Sequence, residues 1–96
     1  MNQLPKNIQI TIEWLRSQLG STASIFLFGS QAKKLKLGAD YDVGVWHNGE
    51  LSWREFCLLK NEAEELAWPY KIDLVDLTRA PKEFIEVIEQ EAVEIS

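Results

Sequence analysis

Apolar residues recur every three or four positions in three parts of the chain, and this spacing predicts three amphipathic helices. The first helix covers Lys6–Leu19, and the third covers Pro81–Gln90. The second begins at Ser52, which has the spacing of a capping box with Glu55, and it ends at Pro69. The side chains predicted to face the core are Ile8, Ile12, Leu15, Leu19, Phe56, Leu59, Ala63, Leu66, Phe84, Ile85 and Ile88.

Shorter apolar runs predict the strands of a sheet. Ser24–Phe28 is apolar without alternation, which is typical of a strand that is buried on both faces. Tyr41–Trp46 and Lys71–Leu77 predict two more strands, Val93–Ile95 a short terminal one, and His47–Glu50 a turn. Helices and strands mixed in this order predict an α+β (α/β) fold, in which helices pack on a small mixed β-sheet.

Composition narrows the class of protein. With 96 residues the chain is long enough for one core, so we predict a single domain over residues 1–96. A hydrophobic content of 46% is typical of a globular protein, and the net charge of -5 disfavours a general nucleic-acid binder. Cys57 is the single cysteine, which excludes an internal disulfide and is typical of a cytoplasmic protein. No signal peptide is recognisable, and no apolar run approaches the roughly 20 residues of a membrane span.

Two aspartates one residue apart, Asp40 and Asp42, stand at the head of the second predicted strand. Residues i and i+2 of a strand point to one face, so the two carboxylates repel each other unless a cation lies between them. Magnesium prefers such oxygen ligands and commonly shares them with substrate phosphates. Asp73, on the third predicted strand, joins this group if that strand lies beside the second. It would then bind a second metal ion or accept the proton of an attacking hydroxyl group.

Gly29 and Ser30 follow the first predicted strand and are candidates for phosphate binding. Glycine allows the backbone to approach a phosphate closely, and Ser30 would stand at the N-terminus of one or two helical turns over Gln31–Leu35. Lys33 and Lys34 follow at once and form a basic cluster in an acidic protein. This pattern is expected where a triphosphate and a metal ion share one pocket.

Each of these residues also has a purely structural interpretation. Asp40 and Asp42 can be turn residues, Ser30 can be a helix cap, and the lysines can belong to a solvated face. Asp76 follows Asp73 by three positions and therefore points to the opposite face of a regular strand. We expect Asp76 to be solvated or to cap a turn.

The remaining reactive side chains are assigned structural positions. His47, the only histidine, is expected on the surface in a turn. Cys57 is expected to be in the core or half-buried, with no role as a nucleophile. The four tryptophans are expected mostly in the core, with one or two in an apolar patch that contacts a partner.

The chain resembles the minimal nucleotidyltransferases of the DNA polymerase β-like superfamily in three features that follow one another in order. These are Gly29 with Ser30, the pair Asp40 and Asp42, and Asp73 within an Ile-Asp-Leu-Val-Asp-Leu strand. The resemblance extends over nearly the whole chain and implies the nucleotidyltransferase fold. It also implies that the glycine and the serine bind nucleotide phosphates, that the first two aspartates bind Mg²⁺, and that the third completes the catalytic carboxylates.

The activity that this resemblance implies is the transfer of a nucleotidyl group with release of pyrophosphate, with ATP as the expected donor. Members of the family typically pair with an all-helical HEPN-domain protein, as the antitoxin of a toxin–antitoxin pair. Some of them transfer AMP to a tyrosine of that partner. The resemblance therefore implies a HEPN-type partner for this chain.

The spacer between Ser30 and Asp40 departs from the family pattern. Gln31–Ala39 is one residue shorter than in the family, Lys34 stands where glycine is common, and Ala39 replaces a serine or threonine. Two functions therefore remain. One is an active nucleotidyltransferase, and the other is a nucleotide-binding adapter of weak or lost activity that neutralises a HEPN-type partner by binding. The sequence leaves open the base preference, the acceptor and the oligomeric state, a homodimer included.

Overall fold

The structure is a computed structural model that describes residues 4–28, 40–49, 51–91 and 93–94. Its elements are helix α1 (Lys6–Leu19), strand β1 (Ser24–Phe28), strand β2 (Asp40–Trp46), helix α2 (Trp53–Ala67), strand β3 (Lys71–Asp76), helix α3 (Lys82–Glu91) and strand β4 (Val93–Glu94). A short 3₁₀ turn, Leu77–Arg79, links β3 to α3. These elements follow the predicted order. The helical turns predicted over Gln31–Leu35 lie outside the described residues.

The four strands form one mixed sheet in the order β3-β2-β1-β4. Strand β1 runs antiparallel to β2 and to β4, whereas β2 and β3 run parallel. Because parallel neighbours need a crossover connection, α2 lies between β2 and β3 in the chain. The predicted small mixed sheet with helices packed on it is confirmed.

Helices α1 and α2 pack on one face of the sheet and enclose the main core. Its buried members are Leu4, Ile8, Ile12, Leu15, Ile25, Leu27, Tyr41, Val43, Val45, Phe56, Ala63, Ala67, Ile72 and Leu74. The strand residues among them share a face because Val43 pairs with Leu27 on one side and with Leu74 on the other. Burial, with a smaller effect from the neighbouring Tyr70, raises the pKa of Tyr41. The predicted core residues Leu19, Leu59 and Leu66 are only partly buried.

Strand β1 is not buried on both faces, contrary to the prediction from its apolar run. Ile25 and Leu27 lie in the main core, whereas Phe26 and Phe28 are only partly buried on the second face of the sheet. Phe84 of α3 packs edge-to-face on Phe28, with ring centroids 6.2 Å apart. An apolar run indicates contact on both faces, but it does not show how much of each face one short helix covers.

Helix α3 and Leu77 pack on this second face. Ile88 is buried as predicted and Ile85 is partly buried, but Phe84 is 39% exposed. Gly44 of β2 lies under Leu77, and a Cβ atom at Gly44 would be 2.7 Å from Leu77 Cδ1. The glycine therefore makes room for the turn that joins β3 to α3.

The helices of the described part are short, and none is long and apolar enough to cross a membrane. Helix α2 begins with the predicted capping box. The Glu55 N–H donates to Ser52 Oγ at 3.1 Å, and the Ser52 N–H donates to Glu55 Oε1 at 2.9 Å. Hydrogen bonds to the Glu55 carboxylate from the Ser52 backbone N–H and, to a smaller extent, from the Ser52 side chain lower the pKa of Glu55. The bond from the Ser52 N–H to the Glu55 carboxylate is therefore fully formed at neutral pH and weakens as the pH falls through the folded-state pKa, whereas the bond to Ser52 Oγ does not titrate.

We expect Gly44→Ala to lower the free energy of unfolding by about 1–3 kcal/mol, because the new methyl group would overlap the buried Leu77 side chain. Urea unfolding of the wild type and the variant measures this change. In a Leu77→Ala background the overlapping atoms are absent, so Gly44→Ala should cost less there. An equal cost in both backgrounds would show that Leu77 is not the reason for the glycine.

Candidate active site

The register between β2 and β3 brings two of the predicted site residues together. Asp42 pairs with Asp73 across the parallel strands, which lie about 4.8 Å apart. Paired residues point to the same face, so both side chains lie on the second face of the sheet, opposite the main core. Asp40 begins β2 in register with Lys71, and its side chain lies outside the described part. Asp73 is expected to join the carboxylate group only if β3 lies beside β2, and β3 does lie there.

The two carboxylates differ in exposure. Asp42 is half-buried on an inner strand, between Phe28 of β1 and Asp73 of β3. Asp73 lies on the edge strand, with 58% of its side chain exposed. A ligand can therefore reach Asp73 from solvent at the edge of the sheet.

A lysine that the sequence did not single out is bonded to Asp73. Lys60 of α2 reaches the edge of β3, with its Nζ 2.9 Å from Asp73 Oδ1 and 3.4 Å from the carbonyl oxygen of Leu74. Glu64, one turn further along α2, lies 3.8 Å from the same ammonium group. Lys60 precedes Asp73 by 13 residues, so no local pattern connects the two.

The carboxylates are suited to a divalent cation. Two like charges in register on neighbouring strands repel each other, and magnesium prefers such hard oxygen donors. Among the side chains that the structure describes, no three His, Cys, Asp or Glu residues form a metal-binding group, and the carboxylate of Asp40 is not among those side chains. The assignment of Asp40, Asp42 and Asp73 to magnesium therefore stays a prediction.

The predicted phosphate-binding residues lie outside the described part of the chain; they are Gly29, Ser30, Lys33 and Lys34. The structure does show where the chain leaves β1. The strand ends at Phe28, which pairs with Asp42. Gly29 is the next residue in the sequence and is therefore bonded to Phe28, the residue that pairs with Asp42.

The opposite end of β2 and β3 carries a buried polar network that corrects two expectations. His47 is buried rather than on the surface, with 1% exposure, and Asp76 is buried rather than solvated. The His47 Nε2 lies 2.8 Å from Asp76 Oδ1. Because the Leu51 N–H donates to His47 Nδ1, the ring hydrogen is placed on Nε2, which donates to Asp76. His47 and Asp76 are 29 residues apart, so no local pattern indicates their contact.

Asp76 also caps the 3₁₀ turn, as its second interpretation predicted. The Thr78 N–H donates to Asp76 Oδ1 at 3.1 Å, and Arg79 Nη1 donates to Oδ2. The Thr78 hydroxyl oxygen accepts from the His47 N–H at 2.8 Å, and Arg79 Nη2 donates to the Leu51 carbonyl oxygen at 2.7 Å. This network ties the end of β2 to the turn that follows β3.

Cys57 is half-buried, as expected. The tryptophans, however, are not mostly in the core. Trp46, Trp53 and Trp68 are 37%, 57% and 74% exposed, whereas Trp14 packs against the main core. Trp53 and Trp68 are the most exposed because they lie at the two ends of α2, outside the stripe that faces the sheet. Trp53 is the first residue of the helix, and Trp68 follows its last.

Comparison with known families and proteins gives one match and one negative result. The family model described as "Polymerase beta, Nucleotidyltransferase" matches residues 11–96 of the chain. A comparison with curated proteins finds no significant match. The family match extends from within α1 to the end of the chain and includes every predicted site residue.

Solved structures share the fold. A toxin–antitoxin with AMP-PNP matches with a TM-score of 0.71 and 22% identity, over 90% of this chain and 70% of that chain. A tri-AMPylated Shewanella oneidensis HEPN toxin in complex with MNT antitoxin matches with a TM-score of 0.70 and 24% identity, over 92% of this chain and 67% of that chain. A protein assigned as a minimal nucleotidyltransferase matches with a TM-score of 0.68 and 20% identity, over 92% and 88%. At these identities the matches establish the shared fold.

The two aspartates of β3 are expected to respond differently to replacement. Asp76→Ala leaves the buried His47 Nε2–H without its acceptor and removes the cap of the Thr78 N–H, so it should lower the free energy of unfolding by about 2–4 kcal/mol. Asp73→Ala removes an exposed ion pair and should cost at most about 1 kcal/mol. Urea unfolding followed by circular dichroism compares the variants. A small loss for Asp76→Ala would contradict its structural role, and an equally large loss for Asp73→Ala would make Asp73 structural as well.

Proposed function

This chain belongs to the polymerase beta nucleotidyltransferase family, and we propose that it transfers AMP from ATP to a hydroxyl group of a partner protein. The observation that carries the proposal is the register that pairs Asp42 with Asp73 on one face of the sheet. Asp40 precedes Asp42 by two residues on the same strand. Carboxylates on neighbouring strands are suited to magnesium and to the activation of a hydroxyl group.

The donor side of the proposed site follows β1. The backbone N–H groups at Gly29 and the Ser30 hydroxyl orient the terminal phosphates of ATP, and Lys33 and Lys34 balance the phosphate charge. This places the triphosphate beside β1, on the side of Asp42 that faces away from Asp73. The position of Phe28, in register with Asp42 at the end of β1, supports this arrangement.

The acceptor side lies at the exposed edge of the sheet. Asp40 and Asp42 would hold Mg²⁺, which would stabilise the negative charge of the departing pyrophosphate. Asp73 accepts the proton of the attacking hydroxyl group. The acceptor oxygen forms a bond to the α-phosphorus, and the bond from that phosphorus to the bridging oxygen breaks. The products are an adenylylated partner and pyrophosphate.

For the partner, we propose a helical HEPN-type protein that this chain neutralises as an antitoxin in the cytoplasm. The fold shared with an MNT antitoxin in complex with an AMPylated HEPN toxin supports this choice. Exposed apolar side chains offer a surface for contact with another protein. They include Trp53, Leu58 and Trp68, each more than half exposed.

The spacer before Asp40 supports a second candidate function. Gln31–Ala39 is one residue shorter than in the family, and Lys34 stands in place of a common glycine. A side chain at a position where the backbone favours glycine alters how a triphosphate is held, while the carboxylates of the sheet remain. In this alternative the chain binds nucleotide and neutralises its partner by binding alone.

Calorimetric titration with Mg–ATP tests the nucleotide site. We expect the wild type to bind, and Asp40→Asn/Asp42→Asn to bind at least about tenfold more weakly, because two oxygen ligands of the metal lose their charge. Glu62→Gln/Glu65→Gln removes two charges from exposed positions of α2 and serves as the matched control. No binding by the wild type, or equal binding by the Asp40/Asp42 variant, would overturn the proposal.

Co-expression with a HEPN-domain partner separates the two functions. If the chain is an active enzyme, the intact mass of the partner rises by one or more adenylyl groups, and Asp73→Asn abolishes the gain because no base accepts the hydroxyl proton. A stable complex without any gain in mass supports the adapter. Neither a complex nor a gain in mass would contradict both functions.

A further inference from the structure

Lys60 lies beside the proposed site, and neither the sequence motifs nor the family match assigns it a role. We propose that Lys60 is a positioning residue that keeps Asp73 out of magnesium coordination and reserves its carboxylate for the acceptor hydroxyl group. This inference rests on the proposed function and deepens it. It decides between the two roles open to Asp73, which are a ligand of a second metal ion and a proton acceptor.

The ammonium group of Lys60 is held at the edge of β3 by several acceptors. Its Nζ lies 2.9 Å from Asp73 Oδ1, 3.4 Å from the Leu74 carbonyl oxygen and 3.8 Å from Glu64 Oε2. Within the described residues, Lys60 is the one side chain bonded to Asp73. The Lys60 side chain is only 32% exposed, so most of its stem is covered while its charge reaches the carboxylate.

This ammonium group competes with a metal ion for Asp73. An ion coordinated by Asp73 Oδ1 would lie about 2.1 Å from that oxygen, and therefore within about 5 Å of Lys60 Nζ. At that distance, repulsion between a single and a double positive charge in a watery medium weakens metal binding by roughly tenfold. Asp42 lies one strand further from Lys60, so a metal ion at Asp40 and Asp42 meets less of this repulsion.

The ion pair between Lys60 and Asp73 adds little to the stability of the fold. Asp73 is 58% exposed, and ion pairs as exposed as this contribute little to stability. Lys60 also covers a carbonyl group of an edge strand, a position where lysine discourages pairing with another chain. Removing this charge strengthens binding at any nearby metal site, so the number of ions bound, rather than Kd alone, separates the two roles.

The test is the binding of Mn²⁺, a paramagnetic substitute for magnesium, to the full chain without nucleotide. Electron paramagnetic resonance of free Mn²⁺ gives the number of ions bound per chain and their Kd. The variants are Lys60→Met, Lys60→Arg and the double variant Lys60→Met/Asp73→Asn. The double variant has the same net charge at this pair as the wild type, so it removes a possible ligand without changing the local electrostatics. Thermal unfolding confirms that each variant is folded.

We expect the wild type and the double variant to bind the same number of ions with Kd values within about threefold, because Asp73 is not a ligand while Lys60 holds it. Lys60→Met should take up one additional Mn²⁺ ion per chain, because Asp73 is then released to the metal. Lys60→Arg keeps the charge and should bind as the wild type does.

Two results would overturn the inference while leaving the proposed function intact. The first is binding by the double variant that is tenfold or more weaker than binding by the wild type, which would make Asp73 a ligand in the presence of Lys60. The second is an unchanged number of ions bound by Lys60→Met, which would show that Lys60 does not exclude a metal ion from Asp73. If no chain binds Mn²⁺, this inference is overturned, whereas the proposed function is decided by the titration with Mg–ATP.

Discussion

The candidate site exists because β2 and β3 pair in parallel and in one register. That register sets Asp42 beside Asp73 on the second face of the sheet. A slip of one residue would turn Asp73 towards the main core, because successive side chains of a strand alternate between faces. The register is held from the other face, where Val43 and Leu74 are paired and buried under α1 and α2. Packing on one face therefore decides the chemistry that is available on the other.

Asp73 and Asp76 show how the face of a strand decides what a carboxylate does. Asp76 lies on the buried face, where His47 and Arg79 donate to it and it caps the turn after β3. Asp73 lies on the open face and is bonded to Lys60 alone among the described residues. The buried network joins β2 to the turn after β3 at the end away from Asp42. It therefore supports the pairing of the two strands without taking part in the site.

The proposed enzyme and the proposed adapter share this arrangement of strands. In the enzyme, the segment 29–39 would hold a triphosphate in position to react, and in the adapter it would not. The carboxylates are present in both. The proposal for Lys60 adds a second determinant, because a positive charge beside Asp73 would limit how much metal the edge of the sheet holds. On that proposal, a residue outside the family motif determines how many metal ions are bound and whether the Asp73 carboxylate is available to the acceptor hydroxyl group.

Local pattern was sufficient to predict the helices, the strands, the capping box of α2 and the candidate aspartates. Each of these depends on residues that are close in the chain, through helical spacing, strand alternation and turn chemistry. Folding alone decided that Asp73 lies beside Asp42, that Lys60 is bonded to Asp73, and that His47 is buried against Asp76. These contacts join residues between 13 and 31 positions apart. The order of strands and the packing of α2 bring them together, and no pattern in neighbouring residues encodes that arrangement.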